Sequence, residues 1–144
     1  MVTMPRADIP VIDPASAPYW QAARQGRLLL AHCRTCATVH HYPRPFCPHC
    51  WSEDVVPVQA SGSGTVYTYS TVYVNDLPPF RDRVPYIAAI VELAEGPRVM
   101  TTIEGVPHEQ LRIGMAVTAE FRPADDQDPD SPYLTVFTAS KEDE

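Results

Sequence analysis

Four cysteines carry the clearest chemistry in this 144-residue chain. They stand as Cys33-Arg34-Thr35-Cys36 and Cys47-Pro48-His49-Cys50, with ten residues between the pairs. A Cys-x-x-Cys turn points two thiolates at one centre, and a second such turn completes a tetrahedron. The spacing predicts a zinc ribbon with Cys33, Cys36, Cys47 and Cys50 as ligands. Four thiolates leave no open coordination position, so the expected role is structural and not hydrolytic. Iron in a rubredoxin-like site is the rival, because tetrahedral sulfur suits either metal. Two disulfides are disfavoured in a chain expected in the cytoplasm. A thioredoxin-type pair needs a strand–turn–helix setting that Pro43, Pro45 and Pro48 do not supply. His32, His40, His41 and His49 crowd the same segment. With the thiolate shell full, they are read as surface or neighbouring groups.

Several elements must position those ligands. Residues 1–27 read as a proline-interrupted arm followed by a helix over Tyr19 to Gln25, with Gly26 as its stop. Residues 28–60 form the ribbon. Leu28 to Leu30 enter the first knuckle, Val39 to Tyr42 return, and Val55 to Gln59 leave it. Residues 61–140 change to a period of two, with strands expected at Thr65 to Val74, Tyr86 to Leu93, Arg98 to Ile103, Ala116 to Phe121 and Tyr133 to Thr138. One helical turn is expected at Pro107 to Arg112, and an acidic loop at Asp125 to Asp130. Five short strands with a helical piece between the third and fourth predict a five-stranded Greek-key barrel of the OB type, in a mainly β protein. An open five-stranded sheet is the alternative. Residues 141–144 read as an acidic tail.

Composition narrows the function. The 16 prolines are about twice the usual share of ~5% and leave little room for long helices. No stretch approaches the ~20 apolar residues of a membrane span. Met1 to Pro10 lacks an apolar signal core, so the expected address is cytoplasmic. Residues 1–50 carry five arginines against two aspartates, whereas residues 51–144 carry six bases against sixteen acids. The acidic second half argues against wrapping nucleic acid, whose phosphates select Lys and Arg. Ser61-Gly62-Ser63-Gly64 lacks the third glycine of a dinucleotide fingerprint and precedes a strand, so it reads as a turn. No nucleophile elbow and no outstanding carboxylate pair are present. Tyr67, Tyr69 and Tyr73 share one predicted strand and read first as barrel core, second as a stacking platform. The loop from Asn75 to Pro85 presents Phe80 beside Arg81 and Arg83. It is either a rigid anchor for a partner or a loop folded on its own barrel.

These pieces resemble a known family. They comprise Tyr19-Trp20, Gly26-Arg27-Leu28, both knuckles with Pro43-Arg44-Pro45 between them, Gly64-Thr65-Val66-Tyr67, Val84-Pro85-Tyr86, Glu95-Gly96-Pro97-Arg98 and Ile113-Gly114-Met115. Together, over roughly residues 16–140, they are similar to the zinc-ribbon plus OB-fold proteins filed as the thirty-fifth family of domains of unknown function. Many members carry glycine after each knuckle's second cysteine, where this chain has Ala37 and Trp51. The resemblance implies an acyl-CoA-associated accessory subunit with no catalytic residues of its own. Its expected partner is a thiolase-superfamily enzyme, such as a lipid-transfer-protein-like retro-aldolase of steroid side-chain breakdown or an acyltransferase. Structural zinc is the implied cofactor and acyl-CoA the implied ligand. Arg44, Arg81 and Arg83 are the candidates for CoA phosphates, since guanidinium forks suit phosphate oxygens. The alternatives are a nucleic-acid-binding ribbon/OB module and a rubredoxin-like electron carrier.

Overall fold

A computed structural model describes residues 8–140 of the chain. The first part of the expected arm and the 141–144 tail lie outside the described residues. Helix α1 spans Ala17–Arg24, two residues earlier than expected. Pro18 sits in its first turn, where a missing N–H costs nothing, and Gly26 ends it at φ +78°. Tyr19, Ala22 and Ala23 form its buried face. Arg24 ties the helix to the barrel through the carbonyls of Pro129, Asp130 and Ser131, at 3.2, 2.7 and 3.2 Å. Its guanidinium also lies over the Tyr133 ring, 5.2 Å from the centroid.

The ribbon is a three-stranded antiparallel sheet in the order β2-β1-β3, with β1 Leu29–Cys33, β2 Val39–His40 and β3 Val55–Gln59. Only β3 matches its expected span. The return strand stops at His40, and the rings of His41 and Tyr42 pack edge-on against Tyr19.

Five further strands close a barrel in the order β4-β5-β6-β8-β7. They are β4 Ser63–Val72, β5 Tyr86–Leu93, β6 Arg98–Ile103, β7 Ala116–Asp125 and β8 Asp128–Ala139. All pairs are antiparallel except β6–β8, which meet at the single parallel pair Ile103↔Phe137. This is the OB barrel predicted from the strand pattern. A single helical turn, His108–Gln110, lies between the third and fourth barrel strands as expected. Alternation along β5 sends Ile87, Ala89, Val91 and Leu93 inward, where they meet Val66, Val117 and Phe137. Gly64 is required there: a Cβ would stand 2.7 Å from Val91 Cγ1 and 2.8 Å from the Glu92 carbonyl.

Two expectations for the barrel need correction. The acidic segment is no loop. β7 and β8 run on to pair Asp125 with Asp128, leaving a two-residue turn. The aspartates make the turn by accepting from the backbone, Gln127 N–H to Asp125 Oδ1 and Asp130 N–H to Asp128 Oδ1, each at 3.0 Å. The tyrosines do not share one inward face. The register shifts between Val66 and Thr68, so Tyr67 is turned outward beneath Arg98, 3.8 Å from its ring centroid. Tyr73 lies beyond the end of β4 and is 65% exposed. Tyr69 alone packs on the core, with its hydroxyl donating to the Leu111 carbonyl at 3.2 Å.

Candidate metal centre and adjoining cleft

The two knuckles have the same backbone. Ala37 N–H donates to the Cys33 carbonyl at 2.8 Å, and Trp51 N–H to that of Cys47 at 2.9 Å. Cys33 N–H donates to Thr38 O at 2.9 Å, and Cys47 N–H to Ser52 O at 2.8 Å. Each turn therefore folds five residues back on its first cysteine. The residue after the second cysteine takes the strain, with φ +67° at Ala37 and +68° at Trp51. Thr35 and Ser52 bridge the knuckles through their hydroxyls at 2.8 Å, and Arg34 pairs with Asp54 at 2.7 Å.

The four sulfurs converge within 4.8 Å of one another. Cys33 and Cys50 Sγ are 3.6 Å apart, and Cys36 and Cys47 Sγ are 3.7 Å apart. A disulfide needs about 2.05 Å, so these are not bonded pairs. A tetrahedron with Zn–S bonds near 2.3 Å places sulfurs about 3.8 Å apart, so the group fits a zinc ion. Hydrogen bonds lower two of the four thiols, Cys36 and Cys33, whereas burial and the three other sulfurs raise Cys50. The Thr38 hydroxyl, 3.2 Å from Cys36 Sγ, is the main cause that brings Cys36 down to about 6. The Cys36 N–H, 3.5 Å from Cys33 Sγ, lowers Cys33 as well. His49 contributes only its backbone N–H, 3.3 Å from Cys47 Sγ.

The histidines do other work. His41 Nε2 lies 3.1 Å from the Tyr19 hydroxyl, and burial, then the neighbouring His40, pushes it down to about 4. His40 is buried with both ring nitrogens unpartnered among the described residues. Its pKa is lowered by burial and by Arg44. Neither joins the cysteine group.

A cleft of about 780 Å³ opens where the ribbon half meets the barrel. Trp20 of α1 and Tyr42 of the ribbon form one wall, Phe80 and Arg83 of the long loop another, and β5, β6 and β8 the floor. Arg83 lines it, with its guanidinium 6.0 Å from the Phe80 ring centroid. Arg81 is exposed on the same 3-10 turn, Phe80–Asp82. Arg44 is also exposed and lines a separate small groove with Pro43 and Val56. The structure therefore places Arg81 and Arg83 on one loop and Arg44 on another surface. Sequence reasoning missed the cleft itself. Its lining comes from six separated stretches of chain, and no local motif marks them. Arg122, paired with Glu104 at 2.8 Å, was likewise unmarked.

Residues 20–56 match the ChsH2 rubredoxin-like zinc ribbon domain, and residues 57–122 the ChsH2 C-terminal OB-fold domain. A DUF35 domain-containing scaffold protein of Methanocaldococcus jannaschii is 37% identical over 72% of this chain and 74% of its own length. The chain belongs to the ChsH2-type DUF35 family. Its cysteine group is thus the structural zinc site of a DUF35 ribbon. A probable enoyl-CoA hydratase alpha subunit of Thermomonospora curvata is 40% identical over 81% of this chain. The DUF35 chain spans only 36% of that longer relative. Benzoylsuccinyl-CoA thiolase subunit BbsA of Geobacter metallireducens is 34% identical over 51% of this chain and 47% of its own length. Among solved structures, the Ltp2-ChsH2(DUF35) aldolase contains a chain 38% identical, with a TM-score of 0.76 over 90% of this chain and 98% of that one. Within this DUF35 chain, no described helix is long and apolar enough to cross a membrane.

Proposed function

We propose that this DUF35 protein is a non-catalytic accessory subunit of a thiolase-superfamily enzyme acting on CoA esters, in the cytoplasm. The likeness to the DUF35 chain of the Ltp2-ChsH2 aldolase, at 38% identity over nearly its whole length, carries the reading. A relative named as a thiolase subunit and one named as an enoyl-CoA hydratase subunit support it. The partner performs the bond breaking, either retro-aldol cleavage of a steroid side chain or acyl transfer. This chain holds the acyl-CoA and shields the partner's site from water. The zinc ribbon supplies rigidity and no reaction step, because four thiolates fill the metal's shell.

Exposed apolar residues offer contacts for the partner. Tyr73, Val74 and Leu77 are each at least 65% exposed on the long loop, and Trp51 is 72% exposed on the second knuckle. Arg81 and Arg83, with Arg44, are the proposed contacts for CoA phosphates. The test is reconstitution with a thiolase-like enzyme. The pair is expected to cleave or transfer a CoA ester faster than the enzyme alone. Replacing Arg44, Arg81 and Arg83 together with glutamine is expected to raise KM for the ester. An enzyme indifferent to this chain would overturn the reading.

A further inference from the structure

We propose that the free edge of β6 is a strand-pairing site for an extended segment of the partner enzyme. The inference rests on the subunit reading above and names a surface by which this chain is held.

The direction of the backbone groups along β6 carries it. Leu93 N–H donates to the Pro97 carbonyl at 2.9 Å, which sets the bonded pairs between β5 and β6. Alternation then turns the backbone groups of Val99, Thr101 and Ile103 towards β5, and those of Arg98, Met100 and Thr102 away from it. Glu104 continues the second set, with its N–H donating to the Phe137 carbonyl at 2.9 Å. β8 meets β6 only at Ile103↔Phe137. The N–H groups of Arg98, Met100 and Thr102 and the carbonyls of Arg98 and Met100 therefore have no backbone partner among the described residues. Such a row pairs readily with one more strand.

Nothing on β6 blunts this edge. Residues 98–103 contain no proline, glycine or bulge. Their one charge, Arg98, is held by Glu92 at 3.0 Å and lies over the Tyr67 ring. Among the described residues, the neighbouring edges are protected. Pro57 sits inside β3 with its nitrogen on the outer side, because the bonds Ala60 N–H to Leu28 O and Arg34 N–H to Asp54 O make the alternate positions the bonded ones. Pro123 does the same on β7, two pairs beyond Ala119 and Phe121, since Ala119 N–H already faces away from β8 to the Gly62 carbonyl. β4 is backed by residues 114 and 115, through Gly114 N–H on Val66 O and Val66 N–H on Met115 O. α1 covers the start of β8 through Arg24.

The cleft gives the added strand its room. Met100, Thr101 and Thr102 line one side of it, and Trp20, Tyr42 and Leu134 line others. Side chains of a strand alternate between its two faces, so the segment that fits carries apolar residues at every second position. Phe80 also lines the cleft and belongs to the loop that exposes Tyr73, Val74 and Leu77. The open edge thus adjoins the apolar loop already assigned to the partner.

Proline separates backbone from side chain in the test. The Met100 nitrogen bonds nothing in the free chain, so Met100→Pro is expected to match the parent in zinc content, far-UV spectrum and Tm. It removes a pairing donor, and its complex with a thiolase-superfamily enzyme is expected to be at least about tenfold weaker by calorimetry. Met100→Ala keeps the N–H and is expected to bind within about threefold of the parent. Residue-resolved hydrogen exchange on the parent chain gives a second readout. The Met100 and Thr102 amides are expected to exchange at least about a hundredfold more slowly in the complex than in the free chain, while Val99 and Thr101, bonded to β5, stay slow in both. Unchanged exchange at Met100 and Thr102 in a formed complex overturns the proposal. So does a loss of affinity as large for Met100→Ala as for Met100→Pro. Protection of both amides that rises with concentration of the chain alone assigns the edge to a second copy and also overturns it. These failures, with the parent complex intact, refute the edge and leave the subunit reading standing. A parent chain that forms no complex refutes the subunit reading and the edge with it.

Discussion

Ala37 and Trp51 occupy equivalent positions in the two knuckles, at φ +67° and +68°, and differ only in what their side chains do. An L-residue in that region carries roughly 1–2 kcal/mol of steric cost. Replacing Ala37 with glycine removes the cost, and Ala37 is exposed, so no packing is lost. Glycine also frees the unfolded chain by about 0.4–1 kcal/mol. The net expectation for Ala37→Gly is a gain of about 0.5–1 kcal/mol, or about 2–4 °C in Tm. Trp51→Gly relieves the same strain but forfeits the stack on Phe46, whose ring centroid lies 5.4 Å away at an interplanar angle of 12°. A ring pair of that kind is worth about 0.5–1.5 kcal/mol, so the net change is near zero. Thermal unfolding in a fixed excess of zinc compares the two, since metal bound to the native state shifts Tm by itself. A lower Tm for Ala37→Gly, or a larger gain for Trp51→Gly than for Ala37→Gly, would refute this reasoning.

Phe137 is fully buried and anchors the β6–β8 seam, where its carbonyl accepts from Glu104 N–H at 2.9 Å. Phe137→Ala is expected to cost about 3–5 kcal/mol in urea unfolding; a loss under 1 kcal/mol would show that the seam does not hold the barrel. Stripping zinc with a chelator is expected to abolish the ribbon's amide protection while most of the barrel's protection remains, and the native protein is expected to be colourless with one zinc by elemental analysis. His41 is held neutral in the fold, down to about 4 against an ordinary 6.5, so the unfolded chain binds the extra proton. Its contribution is complete above pH 6.5 and is lost as pH falls towards 4, with a slope of up to about 1.4 kcal/mol per pH unit. His41→Phe is expected to flatten that part of the stability profile measured by urea titration.

The metal site was legible because its information is local: two short turns and a spacer state the ligands and the geometry. β3, β5 and β6 were legible to the residue, because alternation or a continuous apolar run meets a clear turn at each end. The errors have separate causes. The acidic hairpin was misread because charge was weighed and side-chain capping by Asp125 and Asp128 was not. The tyrosines were misread because one bulge at Tyr67 reverses the period, and nothing in Val66-Tyr67-Thr68 announces it. The cleft was invisible because Trp20, Tyr42, Phe80, Met100 and Leu134 meet only once the ribbon docks on the barrel, a contact fixed partly by Arg24 on three distant carbonyls.

The role proposed for this chain is that of one subunit in a complex. Size-exclusion chromatography with light scattering, on the zinc-loaded chain mixed with a thiolase-superfamily enzyme, tests it most directly. A single species of defined stoichiometry that contains both chains and withstands dilution to micromolar concentration is expected. Separate elution of the two proteins under every zinc-replete condition, with and without acyl-CoA, would contradict it.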